Sequence, residues 1–241
     1  MQTQSRNHVF RHGVAVVIAL TASLIMAGPA FAADAEGFGT NVIEAFKAGE
    51  FDVNFRYRYE FVDRDSRGAA DPVTKNANAS TLRTRLVYKS GELHNLFITV
   101  NMDDVRTIVS SDYNSTRNGK TQYPAVADPK GTDLNLASMT YTGIEDGDIV
   151  LGRQRIIRDN ARFIGNVGWR QNEQTYDSAS IDYKFLDKGE VFYAYVDRVK
   201  RIFGPNDGIP AASFESNSNL FDARYEFTPL LNLSGYAYLL D

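Results

Sequence analysis

Ten arginines hold most of the chemistry this sequence offers. Arg153, Arg155, Arg158, Arg162 and Arg170 fall within residues 151–181, beside only Asp159, Glu173 and Asp177. The other five, Arg56, Arg58, Arg83, Arg85 and Arg224, alternate with apolar or aromatic residues in short runs. A guanidinium presents five donors in a planar fork and takes a carboxylate two oxygens at a time. Rings of arginine in a water-filled pore favour anions. Acids follow the same alternation at Asp52, Glu60, Asp103, Asp182, Asp222 and Glu226. The arginines therefore suit two roles, contact with an anionic solute or a polar wall neutralised by internal ion pairs, and the sequence leaves both open. The segment 156–175 either folds inward as a constriction or is tied to the wall by arginine–carboxylate bonds.

Other chemistry is thin. Cysteine is absent, which removes disulfides, thiol catalysis and cysteine metal sites. The three histidines are His8, His12 and His94. Hydrolase chemistry would rest on His94 alone, which follows the tight turn SGEL (90–93) at the end opposite the long loops. DPKGTD (128–133) lacks EF-hand spacing and reads as a solvated loop. No glycine-rich phosphate cradle, zinc spacing or Ser/His/Asp arrangement is present. The expectation is a protein that is not an enzyme, with no catalytic residue, metal or cofactor.

The N-terminus explains where the chain goes. Arg6, His8 and Arg11 precede the apolar run 13–28, and Ala30-Phe31-Ala32 supplies the small residues of a cleavage site. This pattern predicts a secretory signal peptide over 1–32; a retained anchor is the alternative, for which the run is short. No cysteine follows it, so a lipoprotein anchor is excluded. Cleavage removes two of the 26 basic residues, Arg6 and Arg11, and none of the 30 acids, leaving 24 against 30 and a formal charge of −6. That balance excludes bulk nucleic-acid binding. Residues 33–50 read as a short N-terminal periplasmic segment with one amphipathic helical turn at 37–50.

The elements that must position the arginines have a period of two. In FDVNFRYRYEF (51–61) every odd position is apolar or aromatic and every even one polar, the mark of a strand with two unlike faces. The pattern recurs at 79–89, 94–103, 133–142, 148–155, 178–186, 190–199, 219–228 and 232–240. The run 190–199 is apolar on both faces and leaves its orientation open. Connections after the second, fourth, sixth and eighth strands are tight (SGEL, GIEDG, DKG, PLL), whereas those after the first, third, fifth and seventh are long and polar. Tight turns at one end and long loops at the other belong to an antiparallel up-and-down transmembrane β-barrel. A mean hydropathy of −0.32 fits that reading, because inward polar residues dilute the average. A soluble sandwich could use the same strands with their aromatic faces buried between sheets. Tyr57, Tyr59, Tyr88, Tyr183 and Tyr225 are expected near bilayer interfaces.

The segment LGRQRIIRDNARFIGNVGWRQNEQTYDSASI (151–181) resembles the signature of the alginate-export family of outer-membrane porins. The matching pieces are Gly152-Arg153-Gln154, Asp159-Asn160, Arg162-Phe163-Ile164-Gly165 and the run Gly168–Thr175. FRYRYEFVD (55–63), YVDRVKRIFGP (195–205) and 223–241 are similar to the flanks. The resemblance implies an eighteen-stranded barrel of which 51–241 forms about nine strands, the N-terminal half. It implies an outer-membrane porin, and the arginines on the inward faces add the expectation of hydrophilic, anionic solutes such as uronates or acidic oligo- or polysaccharides. A structural or adhesive barrel without an open channel is the alternative. Outer-membrane lipid, lipopolysaccharide, the outer-membrane assembly machinery and small anionic or saccharide solutes are the partners expected.

Overall fold

The computed structural model describes residues 39–64, 68 and 70–241. The expected signal peptide lies outside the described residues. The chain divides into two compact units, Met1–Ile43 and Glu44–Asp241. Within the expected 33–50 segment, residues 39–47 are helical. No helix among the described residues is long and apolar enough to cross a membrane, which says nothing of a β-barrel.

The second unit is one antiparallel sheet of nine strands in sequence order. They are β1 (Glu50–Val62), β2 (Ala77–Lys89), β3 (Leu96–Asp112), β4 (Gly131–Ile144), β5 (Gly147–Gln154), β6 (Thr175–Phe185), β7 (Gly189–Lys200), β8 (Ser213–Thr228) and β9 (Leu231–Leu239). Each strand pairs only with its chain neighbours, so this is an up-and-down meander in which β1 and β9 point the same way. All nine expected strands are present. Alternation decides them, since a period of two places every large side chain of β1 on one face. β3 runs further than expected, to Asp112, pairing with Asn78 and Ala79 of β2, and its Val105 is completely buried.

The tight turns use left-handed backbone. His94 and Asn95 have positive φ, as the two-residue hairpin between Leu93 and Leu96 demands, and so do Leu186 and Asp187 in the three-residue turn between Phe185 and Gly189. His94 is thus a turn residue between β2 and β3. Gly152 in β5 has φ +107, and an added Cβ would strike the carbonyl of Ala137 on β4, so glycine is needed there.

The sheet has two unlike faces. On the outer face Phe51, Val53, Phe55, Tyr57, Tyr59 and Phe61 of β1 are all more than half exposed. Tyr88, Tyr183 and Tyr225 lie on the last turns of strand before tight hairpins, with Tyr57 and Tyr59 toward the long-loop end of β1. The inner face is covered by the β5–β6 loop, residues 155–174. Beneath it Ile156 and Ile164 pack with Tyr176, Phe192, Ala194, Val196, Val199 and Leu220. This resolves the orientation of β7, whose Val191 and Tyr195 face outward while Phe192, Ala194 and Val196 are buried under the loop. A strand apolar on both sides is the strand whose inner side the loop caps.

Candidate functional site

The inner face is organised by what β1 and β2 present and what the loop brings to it. Alternation aims Arg56, Arg58 and Glu60 of β1, with Thr81, Arg83 and Arg85 of β2, toward the loop. Among the described residues Arg56 has no carboxylate partner. Its Nε donates to Gln171 Oε1 (3.1 Å), its Nη1 to the Gly168 carbonyl (2.8 Å) and its Nη2 to the Arg170 carbonyl. Gln171 answers by donating its Nε2 to the Arg56 carbonyl (3.2 Å) and to Thr81 Oγ1 (2.9 Å). A side-chain amide with this many partners is fully used, and Gln171 is completely buried.

Glu173 is the second anchor. Only 3% of it is exposed, yet it accepts hydrogen bonds from Arg155 Nε (2.8 Å) and Nη2 (2.5 Å), Arg85 Nη2 (2.6 Å), Asn135 Nδ2 (2.5 Å) and Asn166 Nδ2 (2.7 Å). Burial pushes the Glu173 carboxyl up, but the Arg155 hydrogen bond and the charges of Arg85 and Arg155 outweigh it and hold the group at about 2. Arg85 also grips Asp103 of β3 through two 2.7 Å bonds, so one arginine ties the loop and two neighbouring strands together.

A third anchor comes from the β3–β4 connection. Asp128 is 1% exposed, accepts the Gln171 backbone N–H (2.8 Å) and lies 3.4 and 3.5 Å from the Arg58 and Arg170 guanidiniums. Burial raises its carboxyl above the ordinary range, against the Gln171 hydrogen bond and the two arginines that favour its charge. The solvated loop read at 128–133 is therefore corrected at its first residue: Asp128 is enclosed because the loop's amide and two cations meet it. Pro129 accepts from Asn172 Nδ2 (3.1 Å) in the same contact.

On the other flank Arg158 reaches Asp222 of β8 (2.7 Å), Glu190 of β7 (3.1 Å) and Asp182 of β6 (3.5 Å), with its guanidinium 4.3 Å from the Phe192 ring centre. Arg224 of β8 pairs with Asp159 (2.7 Å), and the ring of Phe163 lies 5.5 Å from Tyr236 of β9. The loop that joins β5 to β6 thus touches strands at both edges of the sheet.

The ten arginines named from sequence part into three groups. Arg58, Arg85, Arg155, Arg158, Arg170 and Arg224 lie on the inner face or in the loop and each meets a carboxylate. Arg56, Arg83 and Arg162 meet none among the described residues. Arg83 stands directly opposite Arg56 in the β1–β2 register, is 6% exposed and has only Asn54 Oδ1 at 3.5 Å, with its Nε unpartnered. Arg162 is exposed on the loop, and its side chain meets no partner among the described residues. Arg153 forms the third group by itself and departs from the pore-lining assignment. Its register places it on the face of Leu151 and Ala179, opposite to Gln154 and Tyr176, where it forks onto Asp177 of the next strand (2.7 and 2.9 Å). Counting two residues onward from Leu151 gives that face, a signal the arginine-rich segment hides.

Asn135, Asn166 and Gln171 escaped the sequence reading as anchors, because neutral amides carry no charge pattern to flag them. No group of His, Cys, Asp or Glu among the described residues could hold a metal ion. The arrangement fixes a loop against the inner face of the sheet and, among the described residues, leaves Arg56, Arg83 and Arg162 without a carboxylate partner.

A family model described as "Alginate export" matches residues 48–193. No curated protein matches the sequence. Among solved structures the fold matches Pseudomonas aeruginosa OccK9 (OpdG), TM-score 0.60 at 12% identity, covering 82% of this chain and 51% of that one. It matches Acinetobacter baumannii OccAB2, TM-score 0.59 at 17% identity, covering 82% and 50%. It also matches Pseudomonas aeruginosa OpdK with vanillate, TM-score 0.56 at 14% identity, covering 81% and 50%. These are outer-membrane porins, and at such identities the likeness shows the fold alone: the nine strands match about half of a porin barrel. The chain spans about half the length of the structures it matches.

Proposed function

The chain belongs to the alginate-export family, and from that premise we propose that it forms half the wall of an outer-membrane channel for hydrophilic, anionic solutes. Uronates, acidic oligo- or polysaccharides and small organic acids fit the chemistry; the vanillate named with OpdK is itself a carboxylate. The observation that carries this reading is the contrast between the two faces. The outer face of β1 bears six exposed large apolar side chains in a row, which suit lipid hydrocarbon and the headgroup layer. The inner face bears arginines, acids and a pinned loop, which suit a wet interior narrowed from one side. Tyrosines toward both strand ends match the aromatic girdles of such barrels.

Anion preference would rest on few residues. Of the ten arginines, six on the inner face or loop already meet acids, whereas Arg56, Arg83 and Arg162 meet no carboxylate among the described residues. The signal peptide delivers the protein to the periplasm, and the assembly machinery inserts it among outer-membrane lipid and lipopolysaccharide. The test is a planar-bilayer and liposome-swelling measurement on the complete protein with charged and neutral sugars. Anion-favouring reversal potentials and uronate permeation support the reading; cation preference defeats the anion part, and no conductance at all defeats the channel. The absence of conductance would favour the second reading, a structural barrel, for which the loop's contacts with both flanks of the sheet are the supporting observation.

A further inference from the structure

Besides Tyr176 and Phe192 under the loop, three more aromatic rings stand on the inner side of the sheet. Tyr236 pairs with Asp222 and Tyr238 with Leu220 in the β8–β9 register, and both partners lie on the inner face, one bound by Arg158 and the other packed under the loop. Tyr236 and Tyr238 are nearly parallel, with ring centres 4.8 Å apart, and Tyr238 reaches Asp222 Oδ2 at 3.5 Å. The loop adds Phe163, 5.5 Å from Tyr236. Phe163 and Tyr236 are 64% and 52% exposed. An apolar patch turned to water, rimmed by polar groups, marks a place where something binds. Its rim holds the ion pairs Arg158–Asp222 and Arg224–Asp159, and next to Phe163 stands Arg162, whose guanidinium has no partner among the described residues.

We infer that Phe163, Tyr236 and Tyr238 form a stacking platform for solutes that carry a six-membered ring and a carboxylate, with Arg162 meeting the carboxylate. The ring face lies on the aromatic faces by dispersion and C–H or π contact, and the unpaired cation supplies charge complementarity that the paired arginines cannot. A pyranose acid and an aromatic acid share this chemistry. The platform selects a cyclic anion over an open-chain one of equal charge. It rests on the channel reading only for the route by which solute arrives.

The experiment compares glucuronate with gluconate, six-carbon monoanions that differ in having a ring, together with benzoate, in liposomes containing the complete protein. Saturation-transfer NMR on the detergent-solubilised protein reads ring contact without needing conduction. The wild type should favour glucuronate over gluconate. The Phe163→Ala/Tyr236→Ala variant should lose about three- to ten-fold of that preference, the range expected from one or two aromatic contacts, with gluconate unchanged. Tyr236→Phe should keep it, and Arg162→Gln should lose discrimination between glucuronate and uncharged methyl glucoside. A dependence on the rings shown by benzoate alone would assign the platform to aromatic acids. Equal handling of glucuronate and gluconate by the wild type, with no ring saturation transfer for glucuronate or benzoate, overturns the proposal. Missing potassium chloride conductance with intact saturation transfer would instead sink the channel and spare the platform.

Discussion

Replacing Glu173 by glutamine tests the architecture most directly. The carboxyl is held at about 2 instead of its ordinary 4.5, so its ionised form is favoured by about 3 kcal/mol at neutral pH, each unit being worth 1.36 kcal/mol. A folded-state value below the unfolded one gives stability that is fully present above about pH 5. That stability is lost as pH falls through 4.5 toward 2. Glu173→Gln keeps one oxygen acceptor but leaves Arg155 without an anion and Arg85 with Asp103 alone. Breaking a buried pair from one side costs roughly 3–5 kcal/mol, so the two routes agree on a loss of about 3 kcal/mol. Urea unfolding of the complete protein in detergent should show that loss at pH 7 and almost none near pH 2. Limited proteolysis should cut the variant's β5–β6 loop where the wild type resists. A variant equally stable and equally resistant at pH 7 would refute the idea that this carboxylate pins the loop.

Other outcomes follow from single contacts. Phe55→Arg should cost about 2–4 kcal/mol in membrane stability if its outer-face position lies near the bilayer midplane, measured by unfolding from liposomes. Arg83→Met removes a buried cation that has no carboxylate, so stability should stay within about 1 kcal/mol or rise, while the reversal potential shifts away from anions. Gly152→Ala should destabilise by about 1–3 kcal/mol, because a left-handed φ and the Ala137 carbonyl both oppose a Cβ. Arg153→Ala, on the outer face, should leave ion selectivity unchanged while weakening the β5–β6 pairing, which hydrogen exchange at Asp177 would report.

The strands were legible because a side-chain period of two is a local property. β1 announces itself by Phe51 through Phe61, and the hairpin ends by the short stretches SGEL, GIEDG, DKG and PLL, although the first left-handed pair falls just beyond SGEL, at His94-Asn95, where a strand start was expected. The extension of β3 was not legible, since it rests on pairing with the first residues of β2 across a register shift rather than on alternation. The arginines were visible as a set, but their fates were not. Arg85 and Arg83 are two residues apart on one face, and one is neutralised by Asp103 and Glu173 while the other has only Asn54. That difference depends on where the loop lies, 88 residues away in sequence. Asp128 was misread for the same reason: only a folded loop could enclose it.

The reach of those contacts bears on the order of assembly. Arg56 finds its side-chain partners 112 to 115 residues further along the chain, whereas Arg58 already has Glu60 on its own strand. A nascent first hairpin therefore carries the Arg56 guanidinium without these partners until the β5–β6 loop has been made and has turned back. Closing contacts of such sequence separation is slow, and it links the earliest strand to the middle of the chain before any later strand is required. Insertion strand by strand from the N-terminus is thereby disfavoured, and a sheet already furnished with its internal brace becomes the natural unit to enter the membrane.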